Sequence, residues 1–180
     1  MVAAVRRAYG VVAVSVEALT ATLTLGLVVL VSTNVVARYV FSGGIAWAEE
    51  MSRLIFVWMS FLGAYVALRR GAHLAIGMLV DRLPQWPRFS IVLFGQALVA
   101  AFLVVLVKAA VELVQQSITF GTTTPILGIS VAWSHLPIAV SGILMLLHVL
   151  GDMFVMVQAA RAGDTHVLDT PDDDQLGVPR

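Results

Sequence analysis

Residues 18–37, ALTATLTLGLVVLVSTNVVA, run for twenty positions without a charge. A helix crosses a hydrocarbon core about 30 Å thick with about 20 predominantly apolar residues, at 1.5 Å of rise each. This run is long enough, and Tyr9 to Glu17 extends it towards the N-terminus. It exceeds the roughly 7–15 residues of a signal-peptide core, so it reads as a retained membrane helix. Working outward, Phe89 to Val107 is a second such run, and a further apolar segment runs from about Ser130 to Val157 with Asp152 near its end. Leu54 to Leu68 is also uncharged but spans only about 22 Å. It reaches full length only when its helix begins near Ile45 or Trp47, which brings Glu49, Glu50 and Arg53 to one membrane interface.

Composition agrees. Of 180 residues, 59% are hydrophobic and 12% charged, against about 25% charged in soluble domains. Too little polar surface remains to cover a water-soluble globule. The formal net charge is zero, so no bulk basic character points to nucleic acid. Without cysteine there are no disulfides and no Cys-ligated metal sites. The four histidines are scattered and lack a spacing such as H-E-x-x-H.

These runs predict an all-α integral membrane protein with four transmembrane helices, at about 9–37, 46–68, 88–114 and 130–157. Together they make one domain over 1–162. Residues 163–180 are rich in Asp, Pro and Gly and are expected to be a disordered, acidic cytoplasmic tail. Arginine placement sets the orientation. Arg6 and Arg7 precede helix one, Arg69, Arg70, Arg82 and Arg88 fall in the link between helices two and three, and Arg161 follows helix four. The opposite side offers Arg38, Arg53 and Lys108. Both termini and the 69–88 link are therefore expected inside. Trp86, Trp47 and Trp133 suit interfacial anchors. The outer link from Gln115 to Ile129, with Gly121, Pro125 and Gly128, is expected to be irregular.

Candidate functional residues gather at the outer interface. Glu49 and Glu50 lie four and three residues before Arg53, and Lys108 lies four before Glu112. Arg38 closes helix one there, so three bases and three acids are expected at one level. They read either as ordinary solvated helix ends, as a network that locks helices or contacts a partner, or as an enzyme's paired carboxylates without an accompanying pocket or metal motif. Glu17 lies deep in helix one and either faces water near the cytoplasmic surface or hydrogen-bonds Ser15 or Thr20. At the inner ends stand Arg69, Arg70, His73 and His148, and two facing histidines could hold a haem. Gly63 and Ala67 have the spacing for close helix packing. Pro137 is expected to kink helix four or to mark its start.

Several of these positions also carry a resemblance. The stretch Asn34-Val-Val-Ala-Arg38-Tyr-Val-Phe41, then Trp47-Ala-Glu-Glu50-Met-Ser-Arg53, then Gly63-Ala, then Arg69-Arg-Gly-Ala-His73 resembles the small membrane subunit of tripartite ATP-independent periplasmic (TRAP) transporters, the DctQ family. The later Trp133-Ser-His-Leu resembles the start of that family's last helix. The chain departs from the family at Gly77, where an aspartate is common, at His135, where a tyrosine is, and at Ala139, where a proline is. The resemblance implies a multi-pass protein of the bacterial inner membrane. It implies a large DctM-type permease subunit that carries the substrate and sodium sites, and a periplasmic DctP-type binding protein that delivers an organic acid. In that setting the small subunit is a scaffold without a cofactor, driven by no ATP. The residues are consistent with this: no pair of broken helices and no midplane carboxylate cluster builds a transport site. The alternatives are a small redox subunit holding haem between His73 and His148, and a stand-alone small channel or transporter.

Overall fold

The computed structural model describes residues 2–40, 43–70 and 85–162, with backbone alone at 2–10, 85–88 and 159–162. His73, Gly77, Arg82 and the tail at 163–180 lie outside the described residues. Four helices account for nearly all of the rest: α1 (Val2–Val40), α2 (Ala46–Arg69), α3 (Gln85–Thr119) and α4 (Ala132–Ala162). Among the described residues, β-structure is limited to one bridge between Thr123 and Ser130. Val11–Val40, Ala46–Arg69, Phe89–Thr119 and Ala132–Gln158 are each long and apolar enough to cross a membrane.

The helices outrun the apolar stretches that announce them. α1 continues back to Val2, α3 occupies Gln85–Thr119, and α4 continues to Ala162. Helical hydrogen bonding has no reason to stop where hydrocarbon ends, and neither 2–9 nor 115–119 contains a Gly or Pro to break it. At about 1.5 Å per residue α3 is roughly 52 Å long, more than a bilayer core needs, so it tilts or projects. The outer link is accordingly shorter than its sequence predicts, because residues 115–119 remain helical. Residues 120–131 then fold into a tight loop. Thr124 N–H donates to Ile129 O at 2.8 Å and Val131 N–H to Thr122 O at 2.9 Å. Gly121 (φ 61°) and Gly128 (φ 64°) supply the left-handed backbone that this reversal requires.

The four helices do not close into a bundle. α1 packs on α2, α2 on α4 and α4 on α3, with no more than incidental contact between any other pair. The result is an open row whose edges are α1 and α3. Little is buried, and what is buried is mostly small: Ala13, Ala48, Ala110, Ala132, Ala139 and Ser141. This suits helices in lipid, where apolar surface gains nothing by leaving hydrocarbon and close backbone approach does the work. A Cβ on Gly63 would lie 3.8 Å from Thr20 of α1, and one on Gly142 only 2.8 Å from Val107 Cγ2 of α3. Gly63 therefore faces a neighbour as its spacing predicts, but Ala67 is exposed.

Threonine hydroxyls of the first span are satisfied locally, whereas Tyr65 Oη on α2 and Gln96 Oε1 on α3 are buried without a hydrogen-bond partner. The hydroxyls of Thr20, Thr22 and Thr24 donate to the carbonyls of Val16, Ala18 and Thr20, at 2.8, 2.9 and 2.8 Å. Pro137 stands inside α4 and does not mark its start. Having no N–H, it leaves Trp133 O without its usual intrahelical partner. The indole N–H of Trp58 on α2 donates to that carbonyl at 3.1 Å. A defect in one helix thus becomes a joint between two.

Candidate functional site

The turn from α1 to α2 is built by two residues one helical turn apart. Asn34 Oδ1 accepts the backbone N–H of Ile45 at 2.9 Å, and Ile45 is the N-cap of α2. The N-cap has no side-chain bond of its own, so α1 lends it an acceptor for a donor the helix leaves orphaned. Arg38 lies over the same turn, where a Cβ on Gly44 would sit 3.4 Å from its Nε. Trp47 is 44% exposed and lines a shallow apolar hollow with Leu25, Val29 and Leu30 of α1.

One turn further along α2, Glu50 reaches the outer loop. Its Oε1 accepts the N–H of Ile126 at 3.0 Å and its Oε2 the N–H of Leu127 at 2.9 Å. The two-oxygen grip fixes the tip of the loop that joins α3 to α4. This corrects the pairing expected from spacing, because Glu50 forms no ion pair with Arg53. Arg53 instead lies 3.8 Å from Glu49, with both side chains more than 70% exposed. Such a pair contributes at most about 1 kcal/mol. Between α2 and the loop lies an open hollow of about 290 Å³, lined by Glu49, Glu50, Arg53, Thr124, Ile129 and Ser134. Below it, Ser117 Oγ and His135 Nδ1 meet at 3.1 Å and join α3 to α4.

Lys108 and Glu112 stand apart from this group. Both are exposed on α3, eleven and seven residues before the helix ends at Thr119. That places them about 16 and 10 Å along α3 from its end at Thr119, where the loop held by Glu50 begins. The expectation of three bases and three acids at one level therefore fails. It overlooked the extra length of α3, which runs on past Glu112 to Thr119.

At the end of the α1–α2 hairpin remote from its turn, the structure brings together residues that spacing along the chain does not connect. Glu17 of α1 is ion-paired to Arg70, and its other oxygen lies 3.9 Å from Arg69 Nη1. Neither Ser15 nor Thr20 takes the carboxylate, since the Thr20 hydroxyl bonds Val16 O. The antiparallel register that opposes Thr20 to Gly63 carries Glu17 within reach of two long arginines. His148 Nε2 lies 3.5 Å from Asp152 Oδ2 on its own helix. Among the described residues no group of three His, Asp or Glu side chains converges as a metal site.

Comparison with known proteins agrees with this architecture. The family described as tripartite ATP-independent periplasmic transporters, DctQ component, matches residues 27–159. The chain is 27% identical over 142 residues to the sialic acid TRAP transporter small permease protein SiaQ of Vibrio cholerae, covering 79% of this chain and 81% of that one. It is 29% identical over 130 residues to the isethionate TRAP transporter permease protein DctMQ of Oleidesulfovibrio alaskensis, covering 71% of this chain but 20% of that one. To the C4-dicarboxylate TRAP transporter small permease protein DctQ of Rhodobacter capsulatus it is 29% identical over 101 residues, 56% of this chain and 44% of the relative. These relatives are transporter subunits. With a match over most of its length and four helices able to cross a bilayer, the chain belongs to the DctQ family of TRAP transporter small permease subunits and is a multi-pass protein of the bacterial inner membrane.

Proposed function

We propose that this chain is the scaffold subunit of a TRAP-type secondary transporter and is not itself a transporter or an enzyme. It pairs with a large DctM-type permease subunit, and a periplasmic DctP-type binding protein supplies the substrate. Uptake of an organic acid is driven by symport down an ion gradient. The observation that carries the reading is the family match over residues 27–159 on four unbroken spans. A transport site near mid-membrane is built from discontinuous helices that expose backbone groups to substrate and ion. Here the spans are continuous, and the one internal proline is answered by Trp58.

The match to DctMQ supports the pairing. This chain corresponds to one fifth of that protein, which leaves the rest of a single polypeptide for a larger permease. The arginine asymmetry supports an orientation with both ends and the 69–88 link in the cytoplasm. No observation favours haem: His148 lies beside Asp152 on its own helix, and His73 lies outside the described residues.

Reconstitution tests the reading. Proteoliposomes containing this chain alone should show no uptake of a labelled organic acid under a sodium gradient. Adding the large permease and the binding protein should restore it. Sodium-driven uptake by the lone chain would overturn the scaffold role.

A further inference from the structure

We propose that the outward face of α3, from Phe94 through Lys108 to Glu112, seats a membrane helix of the large permease subunit that presents an acidic side chain to Lys108. This rests on the scaffold reading above and assigns it a surface.

The face exists because the row of helices is open. α3 packs on α4 and makes no more than incidental contact with α1 or α2. Phe94, Leu98, Phe102 and Val105 are 64–71% exposed and follow one another at three- and four-residue steps, so they form one stripe. Leu98, Val99, Ala101, Phe102 and Val105 line a shallow hollow along it. One turn beyond the hollow the same stripe carries Lys108, and the next turn carries Glu112, both exposed.

Those charges lie well inside apolar helices. Lys108 is within the Phe89–Thr119 span. Its neighbour Val107 abuts Gly142, ten residues into α4, or about 15 Å below that helix's start. A charge at such a position is costly unless a protein group answers it. Within this chain none does, because no described acid lies within ion-pair distance of Lys108. Glu112 has the i,i+4 spacing but the less favourable Lys-before-Glu order.

Three occupants compete for the face. A lipid phosphate drawn to Lys108 would meet Glu112 one turn away and be repelled. A second copy inserted with the same topology would run its α3 parallel to this one, setting Lys108 against Lys108 and Glu112 against Glu112. A helix of another subunit has neither difficulty: an acid opposite Lys108 and a hydrogen-bond donor one turn along complement the pair. The other edge of the row does not make this case, since the hollow on α1 at Thr22, Leu25, Gly26 and Val29 has no charge and lipid suffices.

The test uses the full-length chain co-expressed with its large permease subunit in native membranes. A photo-crosslinking amino acid at Phe102 should capture the large subunit, and one at Val28 on the α1 edge should not. Lys108→Leu, which favours membrane insertion, should reduce the large subunit recovered with this chain by about tenfold or more, and Lys108→Arg should retain it. Lys108→Glu should recover when the acid on the captured helix that lies level with Lys108 is changed to Lys. Capture of a second copy from Phe102, capture of no protein while the wild-type pair co-purifies, or full recovery with Lys108→Leu would each overturn the assignment and leave the scaffold role standing. Failure of the wild-type chains to co-purify would overturn both.

Discussion

The two helical hairpins of this protein are held together in opposite ways. α1 and α2 meet through polar joints near their two ends: Asn34 on the N–H of Ile45 at the turn that joins them and Glu17 on Arg69 and Arg70 at the opposite end. Between them Gly63 is only in ordinary contact distance of Thr20. α3 and α4 share one polar joint, Ser117 with His135 near the loop, but along their length they meet by close approach, where Gly142 leaves no room for a methyl group beside Val107. Where hydrocarbon surrounds both hairpins, burial distinguishes them little, and stability depends on hydrogen bonds and on fit. A hairpin held at its ends should tolerate change in its middle, and one held by fit should not.

The sharpest way to break this contrast is at the glycines. Gly142→Ala should destabilise the α3–α4 hairpin by about 1–3 kcal/mol, because a β-branched valine cannot swing clear. Gly63→Ala should cost less than about 1 kcal/mol, since its Cβ meets only an ordinary contact. Denaturation in mixed micelles measures both. Val107→Ala should recover most of the Gly142→Ala loss and none of any Gly63→Ala loss. Equal costs at the two glycines would erase the distinction.

Glu50 belongs to neither hairpin alone, because it ties the start of α2 to the loop of the second hairpin. Glu50→Ala removes a charged acceptor from two N–H groups and leaves them to water, which already reaches Ile126. Hydrogen exchange at Ile126 and Leu127 should accelerate, while exchange at Thr124, whose N–H is held by Ile129, changes less. Arg53→Ala should leave these amides unchanged. Exchanging Glu50 and Arg53 should fail to restore protection, since an arginine cannot accept an N–H. Protection regained in the exchanged variant would revive the pairing expected from their spacing.

How much of this can be read from the chain depends on how far apart the interacting residues lie. The helices are legible because each is announced by its own apolar run, and the start of α2 follows from the shortness of 54–68. Their order in the row is not, because α1 and α3 are apolar on most faces and give no amphipathic stripe to orient. Asn34 and Arg38 stand out in the stretch that resembles the DctQ family, and the structure gives them local work at the α1–α2 turn. The partners of Glu50 lie 76 and 77 residues away, and nothing in a three- or four-residue spacing points there. Spacing along a helix nominates neighbours, but a carboxylate takes the better donor in space.

At the end remote from its turn, the first hairpin's ion pairs are partly wet. Arg70 is 67% exposed and Arg69 30%, so Glu17→Gln should cost no more than about 1 kcal/mol, and less at high salt. Its effect should appear as increased separation of spin labels on α1 and α2 near Glu17 and Arg69, with the ends at the α1–α2 turn unmoved. Loosening throughout would show that the hairpin depends on this joint far more than its exposure implies.

The smallest effect should come from the joint between the hairpins, where it can be isolated most cleanly. Trp58→Phe removes the indole donor and keeps most of the ring, so it should cost about 0.6 kcal/mol, the usual size of a hydrogen bond between membrane helices. The bond exists because Pro137 has no N–H to give Trp133 O. Pro137→Ala supplies that N–H, and the carbonyl then has an intrahelical partner. If the indole fills a vacancy left by the proline, Trp58→Phe should cost much less in the Pro137→Ala background than in the wild type. The coupling of the two changes is the quantity to measure, because it cancels the packing losses each causes alone. Additive costs would mean that Trp58 stabilises the α2–α4 contact through its ring and that its bond to the freed carbonyl is incidental.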